Sequence, residues 1–149
     1  MVRIDFRMSN FAVDDANAKE LEMKTVMIVD DEKNLRTLYS QELAEDGFEV
    51  VTAANGQEAR RHLAERNVDI VVLDIKLEGE NGLELLRTLM AKYRNLKVIL
   101  NSAYSAYMSD FKSWSADAYL VKSSDLTELK KTVRQLAHDD LAVAEPEMN

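Results

Sequence analysis

The chain has 149 residues, of which 46% are hydrophobic and 31% charged, and its 19 basic and 27 acidic side chains leave a formal net charge of −8. That length and composition suit one globular domain with short tails, and the acidic balance argues against wrapping nucleic acid or an anionic membrane. The absence of cysteine excludes disulfides, thiolate metal sites and a thiol nucleophile, and two histidines leave little for a histidine-based site.

Met1 to Lys24 has weak periodicity and mixed charge, and is expected to be an N-terminal extension, partly helical around Asp14 to Met23. No run approaches the ~20 apolar residues of a membrane span, and no signal-peptide pattern is present. The expectation is a soluble, cytoplasmic protein.

From Thr25 onward, short apolar runs alternate with amphipathic stretches. Thr25-Val26-Met27-Ile28-Val29 predicts a first strand, followed by Asp30-Asp31-Glu32 and a helix whose stripe is Leu35, Leu38, Tyr39 and Leu43. Gly47 stands at the C′ position of that helix. Residues 48–53 predict a second strand, and Asn55-Gly56 leads into a helix carrying Ala59 and Leu63. Residues 68–73 predict a third strand ending at Asp74. A loop with Gly79 and Gly82 then precedes a helix with Leu83, Leu86, Leu89, Met90 and Tyr93. Residues 97–100 and 118–121 predict the fourth and fifth strands. Leu126, Leu129, Val133 and Leu136 mark a last helix, with Asp125 and Glu128 at the spacing of a capping box. An acidic tail over 139–149 is expected to be disordered, which leaves a core domain over 25–138.

Strand–helix alternation with strands apolar throughout predicts an α/β fold: a five-stranded parallel sheet, doubly wound, with helices on both faces. Ligands of such sheets sit beyond the carboxyl ends of the strands. Those ends carry Asp30-Asp31, Asp74, Asn101-Ser102 and Lys122. Three carboxylates converging at one edge call for a cation, and oxygen ligands without His or Cys favour Mg²⁺. A lysine opposite the metal suits a phosphoryl group, Ser102 can donate to another of its oxygens, and Asp74 at the centre can act as the nucleophile. Any one of these residues alone reads as a helix cap, a turn hydroxyl or a solvated charge. Their coincidence at four strand ends makes independent structural explanations a poor account.

Val29-Asp30-Asp31-Glu32, Val72-Leu73-Asp74, Ser102-Ala103 and Tyr119-Leu120-Val121-Lys122 together resemble the receiver domain of bacterial two-component response regulators, and Gly82, eight residues after Asp74, agrees. The resemblance spans about Lys24 to His138. It implies a flavodoxin-like strand order 2-1-3-4-5 and a single-domain receiver that catalyses only its own phosphorylation and dephosphorylation. Asp74 is implied as the phosphoacceptor for a sensor histidine kinase or phosphotransfer protein. Asp30, Asp31, Asp74 and the Lys76 carbonyl are implied as the Mg²⁺ site, Lys122 as the phosphoryl partner, and Ser102 and Tyr119 as the switch pair. Output would pass to a downstream protein partner or through a homodimer.

The chain departs from the family pattern in three places. Glu78 stands where a proline is usual. Ser123 replaces the cis proline after the lysine, and a cis bond before a non-proline costs about 3 kcal/mol, so the isomer of Lys122–Ser123 is left open. Ser102 to Lys122 spans 20 positions, about two fewer than usual, and Tyr104 to Ser115 composes a weak helix, so the fourth helix is expected to be short or irregular. Phe111 and Trp114 there are expected to form a small local core. His62, Lys130, Lys131 and Arg134 are expected on solvated faces. Two alternatives remain: a phosphorelay intermediate, and a Mg²⁺-dependent phosphohydrolase with an aspartate nucleophile. The second normally shows Asp-x-Asp after the first strand, where this chain has contiguous Asp30-Asp31. A flavin carrier is disfavoured because the first loop lacks a phosphate cradle.

Overall fold

The computed structural model describes residues 23–103 and 115–143. Its strands and helices, in chain order, are β1 (Thr25–Val29), α1 (Lys33–Glu45), β2 (Glu49–Ala53), α2 (Gly56–Glu65), β3 (Ile70–Leu73), β4 (Lys76–Leu77), β5 (Glu80–Asn81), α3 (Gly82–Lys92), β6 (Lys97–Ser102), β7 (Ala118–Val121) and α4 (Thr127–Val143). The main sheet runs β2-β1-β3-β6-β7 and every neighbouring pair is parallel, which is the expected 2-1-3-4-5 order.

The period of two within each strand sorts the core into two layers. Met27, Val29, Val71, Leu73, Val98 and Leu100 face α2 and α3, where Leu63, Leu85, Leu86 and Leu89 cover them. Val26, Ile28, Ile70, Val72 and Ile99 face α1 and α4, under Tyr39, Leu43, Leu129 and Val133. Because both faces are covered, the central strands carry unbroken apolar runs, Val26–Val29, Ile70–Leu73 and Val98–Leu100, and that pattern is what made them legible as strands.

Several expectations change. Leu38 is 38% exposed and does not share the buried face of α1. At 100° per residue it lies well around the helix from the midpoint of Tyr39 and Leu43, and Leu35, on the same side but nearer that midpoint, is partly buried. β3 is shorter at its start and β6 runs two residues longer than predicted. A small hairpin, β4–β5, occupies what reads as a loop. Its strands are two residues each, too short to leave a periodic signal, and they turn through Glu78-Gly79 with Gly79 at φ +79°. That pairing of an ordinary first and a left-handed second turn residue needs glycine at the second position. The capping box at α4 is absent: Asp125 N–H goes to Ser123 Oγ at 3.0 Å, not to Glu128. The Asp125 carboxylate instead takes the Thr127 N–H at 3.0 Å and hydroxyl at 2.6 Å, which starts the helix later. The Lys122–Ser123 bond is trans.

His62 is half-buried, not on a solvated face. Its Nε2 lies 3.0 Å from the Thr52 carbonyl on β2, which is an edge strand among the described residues. Lys130 and Arg134 are likewise not free-standing surface charges. Lys130 pairs with Glu42 at 3.1 Å and Asp46 at 3.6 Å, and Arg134 with Asp46 at 2.6 Å, tying α4 to α1. α4 continues five residues past His138, to Val143. The N-terminal extension up to residue 22, the 104–114 segment with Phe111 and Trp114, and residues 144–149 lie outside the described residues.

Candidate functional site

Asp30 and Asp74 follow directly on β1 and β3, and the backbone holds both close to the sheet. Asp30 N–H donates to the Ala53 carbonyl at 3.1 Å and Asp74 N–H to the Val29 carbonyl at 3.0 Å. Both side chains are therefore buried, 3% and 6% exposed, while Asp31 is exposed. One carboxylate oxygen each from Asp30, Asp31 and Asp74 falls within a 4.8 Å group. Lys122, just past β7, brings its ammonium between them, 2.8 Å from Asp30 Oδ2 and 3.0 Å from Asp74 Oδ2, with Glu32 Oε1 at 3.6 Å.

Backbone donors orient the acids. Glu32 N–H donates to Asp30 Oδ1 at 2.9 Å and Lys76 N–H to Asp74 Oδ1 at 3.3 Å. Arg36 Nη1, from the first turn of α1, holds the Asp30 carbonyl at 2.8 Å. Behind Asp74, Gly82 donates its N–H to the Ile75 carbonyl at 2.7 Å. A Cβ at Gly82 would stand 2.3 Å from the Asp74 carbonyl oxygen and 2.7 Å from that of Ile75. Only glycine permits this approach, which is the physical content of the Asp74–Gly82 spacing. Glu80 of the hairpin is ion-paired with Arg60 of α2, pinning the hairpin beside the site.

Burial raises the Asp74 pKa above the usual carboxylate range; the bond and charge of Lys122 oppose the rise, the Asp30 charge adds to it, and the Lys76 N–H opposes it. Burial works against the Lys122 ammonium, but Asp30 and Asp74 outweigh it and hold the lysine above its ordinary value. The lysine thus stays charged at neutral pH while its partner carboxylate is strained toward neutrality.

Ser102 is fully buried at the end of β6, and its carbonyl accepts the Lys122 N–H at 2.7 Å. Tyr119 is 7% exposed and packs in the layer on the α2–α3 side, the side that strand parity also gives to Ser102. The structure therefore brings Asp30, Asp31, Asp74 and Lys122 together and sets Ser102 and Tyr119 on adjacent strands behind them. Sequence reasoning missed Glu32 and Arg36. Arg36 was detectable as a cation one turn into the helix that follows the acidic pair.

The sequence profile of the response regulator receiver domain matches residues 26–134. The chain belongs to that family. As a receiver it is the phosphoacceptor module of two-component signalling. The crystal structure of response regulator TrrA from Thermotoga maritima, in complex with Mg²⁺-BeF, is 46% identical, with a TM-score of 0.72 over 76% of this receiver and 99% of that chain. A second structure holds TrrA in complex with the histidine kinase ThkA, at 46% identity and a TM-score of 0.71 over 76% of this chain and 98% of that one. Sporulation initiation phosphotransferase F of Bacillus subtilis (strain 168) is 29% identical over 112 residues, 74% of this receiver and 90% of the relative. No helix among the described residues is long and apolar enough to cross a membrane.

Proposed function

We propose that Asp74 is the phosphoacceptor, that a sensor histidine kinase or phosphotransfer protein is the donor, and that the reaction is Mg²⁺-dependent. One observation carries this reading: the Asp74 carboxylate shares a 4.8 Å oxygen group with Asp30 and Asp31 and lies 3.0 Å from the Lys122 ammonium. The donor set fits the metal, since it is all hard oxygen with no His or Cys. Asp30, Asp31, Asp74 and the Lys76 carbonyl would hold it. When bound, the ion supplies positive charge to the transferring phosphoryl group.

The remaining steps belong to the chain. One Asp74 carboxylate oxygen forms the new P–O bond as the P–N bond of the donor phosphohistidine breaks and its electron pair leaves with the imidazole nitrogen. Lys122, already 3.0 Å from Asp74, neutralises charge on the phosphoryl oxygens without travelling far. Ser102 donates its hydroxyl to another phosphoryl oxygen, and Tyr119 repacks as Ser102 moves. The kinase complex of TrrA supports the donor class, and its Mg²⁺-BeF complex supports the metal. The receiver catalyses only its own phosphorylation and dephosphorylation, in the cytoplasm. It signals to a protein partner, a second copy of the chain included. The receiver unit is 25–138 with α4 continuing beyond it, flanked by the extension over 1–24 and the acidic tail. The likeness to a sporulation phosphotransferase over 90% of its length favours onward phosphorelay as the second reading.

Incubation with acetyl phosphate and Mg²⁺ tests the site. Intact mass should rise by one phosphoryl group, chelator should abolish the gain, and Asp74→Asn should show none. Labelling of the Asn variant on the same peptide would overturn the assignment, and continuous turnover of simple phosphate esters would favour the hydrolase instead.

A further inference from the structure

Parity along β6 places Asn101 on the opposite sheet face from Ser102, in the layer under α1 and α4. There Asn101 Nδ2 donates to Tyr39 Oη at 3.0 Å, with the two residues 3% and 1% exposed. Around the pair the layer is built largely of apolar side chains, Val26, Ile28, Val72 and Ile99 among them. A buried amide and phenol destabilise such a layer unless they satisfy each other, and two apolar side chains of like shape would hold it at least as well. Stability alone therefore does not account for the pair.

Its position does. Arg36, in the first turn of α1, holds the Asp30 carbonyl at 2.8 Å. Tyr39 follows three residues later on the same rigid helix and reaches Asn101, the residue before Ser102. β1 and β6 are not neighbours; β3 lies between them. The Ser102 carbonyl in turn takes the Lys122 N–H at 2.7 Å. Beside this junction is a cavity of about 430 Å³, lined by Tyr39, Asn101, Ser123 and Leu126 among others. At the margin of this cavity the hydrogen bond links α1 to the end of β6. Burial raises the phenol pKa and keeps it a neutral hydrogen-bonding group, with Lys122, Asp30 and Asp74 all close enough for their charges to act on it.

We propose that Tyr39 and Asn101 are a positioning pair: a strut from the β1–α1 acid loop across β3 to the end of β6. It sets the separation of Asp30 and Asp31 from Ser102 and Lys122 during phosphoryl transfer. The inference rests on Asp74 being the acceptor. Tyr39→Phe, Asn101→Leu and the double variant are compared with the parent by urea unfolding and by the rate of phosphorylation from acetyl phosphate with Mg²⁺. Each single variant should lose stability and phosphorylate about tenfold more slowly, since small misplacements of reacting groups cost rate. The loss should lie in the saturating rate and not in the acetyl phosphate concentration giving half of it. The double variant, with an all-apolar layer, should regain stability and remain as slow as the singles. A double variant that phosphorylates at the parent rate overturns the proposal, as does one that fails to fold, because the pair would then only hold the layer. A parent that takes no phosphoryl group fails the acceptor assignment itself, and the strut with it.

Discussion

Replacing Lys122 by methionine keeps the length of the side chain and removes its charge from between two buried carboxylates. The ammonium stands 2.8 Å from Asp30 and 3.0 Å from Asp74, and the lysine side chain is only 14% exposed. At an effective dielectric near 20, each contact is worth about 6 kcal/mol of gross attraction, most of it offset by desolvation. The net loss has a ceiling, because the variant can protonate one acid. Bringing a carboxyl from its ordinary 3.8 to neutrality at pH 7 costs about 4 kcal/mol. Breaking a buried pair usually costs at least about 3 kcal/mol, so a loss of about 3–4 kcal/mol is expected at pH 7 without metal.

The pH dependence follows in sign. Without Lys122, Asp74 loses the partner that opposes the burial-driven rise of its pKa, so the variant loses stability as pH rises through the acid range and beyond, and it converges on the parent as pH falls toward 4. In the parent, the raised lysine contributes stability that is fully present below 10.5 and is lost as pH rises above it. Urea unfolding with chelator at pH 7 and pH 4.5 measures the first effect, a series on the parent above pH 10.5 measures the second, and added Mg²⁺ should restore much of the loss at pH 7. A pH-independent loss below about 0.5 kcal/mol, the range of ordinary surface substitutions, would refute the claim that this ammonium neutralises the site.

Asp74→Asn should abolish phosphoryl uptake by intact mass and raise the melting temperature at pH 7. Burial makes the ionised form unfavourable in the fold, and the gain should shrink as pH falls toward 3.8. Asp31→Ala should remove the Mg²⁺-dependent rise in melting temperature, read with and without chelator, because the exposed member of the oxygen group is then missing. Gly82→Ala should cost about 1–3 kcal/mol in urea unfolding and slow phosphorylation, since its Cβ would meet the Asp74 carbonyl oxygen at 2.3 Å.

How much of this could be read from the sequence depended on whether one residue or several carried the signal. The central strands were legible because burial on both faces leaves runs such as Val26–Val29, Ile70–Leu73 and Val98–Leu100 apolar without a break, and turn residues bound them. The acids and the lysine were legible because a polar residue directly after an apolar run must sit at a strand end. The hairpin was not, since two-residue strands have no period and Glu78-Gly79 reads as any loop. Tyr39 reads as one more member of a helical apolar stripe, and it is buried as such. That its hydroxyl meets Asn101 depends on where α1 crosses the sheet, and no local pattern encodes it. His62 beside two arginines reads as surface for the same reason: its partner, Thr52, comes from the neighbouring strand.

The charge arrangement also bears on how phosphorylation is transmitted. Asp30, Asp31 and Asp74 set against Lys122 leave an excess of two negative charges, which one divalent ion neutralises. With Asp74 as the acceptor, its carboxylate becomes an acyl phosphate and Lys122 exchanges that partner for a phosphoryl oxygen, while Asp30 at 2.8 Å keeps the ammonium in place. The lysine side chain is therefore a poor source of large motion. Its backbone is tied to the Ser102 carbonyl at 2.7 Å, so the ends of β6 and β7 respond as one unit. Under the proposed function, the Ser102 hydroxyl, fully buried and on the Tyr119 side of the sheet, turns to reach the new oxygens. The response we propose therefore starts with a rotation of Ser102 and proceeds through repacking of Tyr119, with the acid pair and the lysine as its fixed frame.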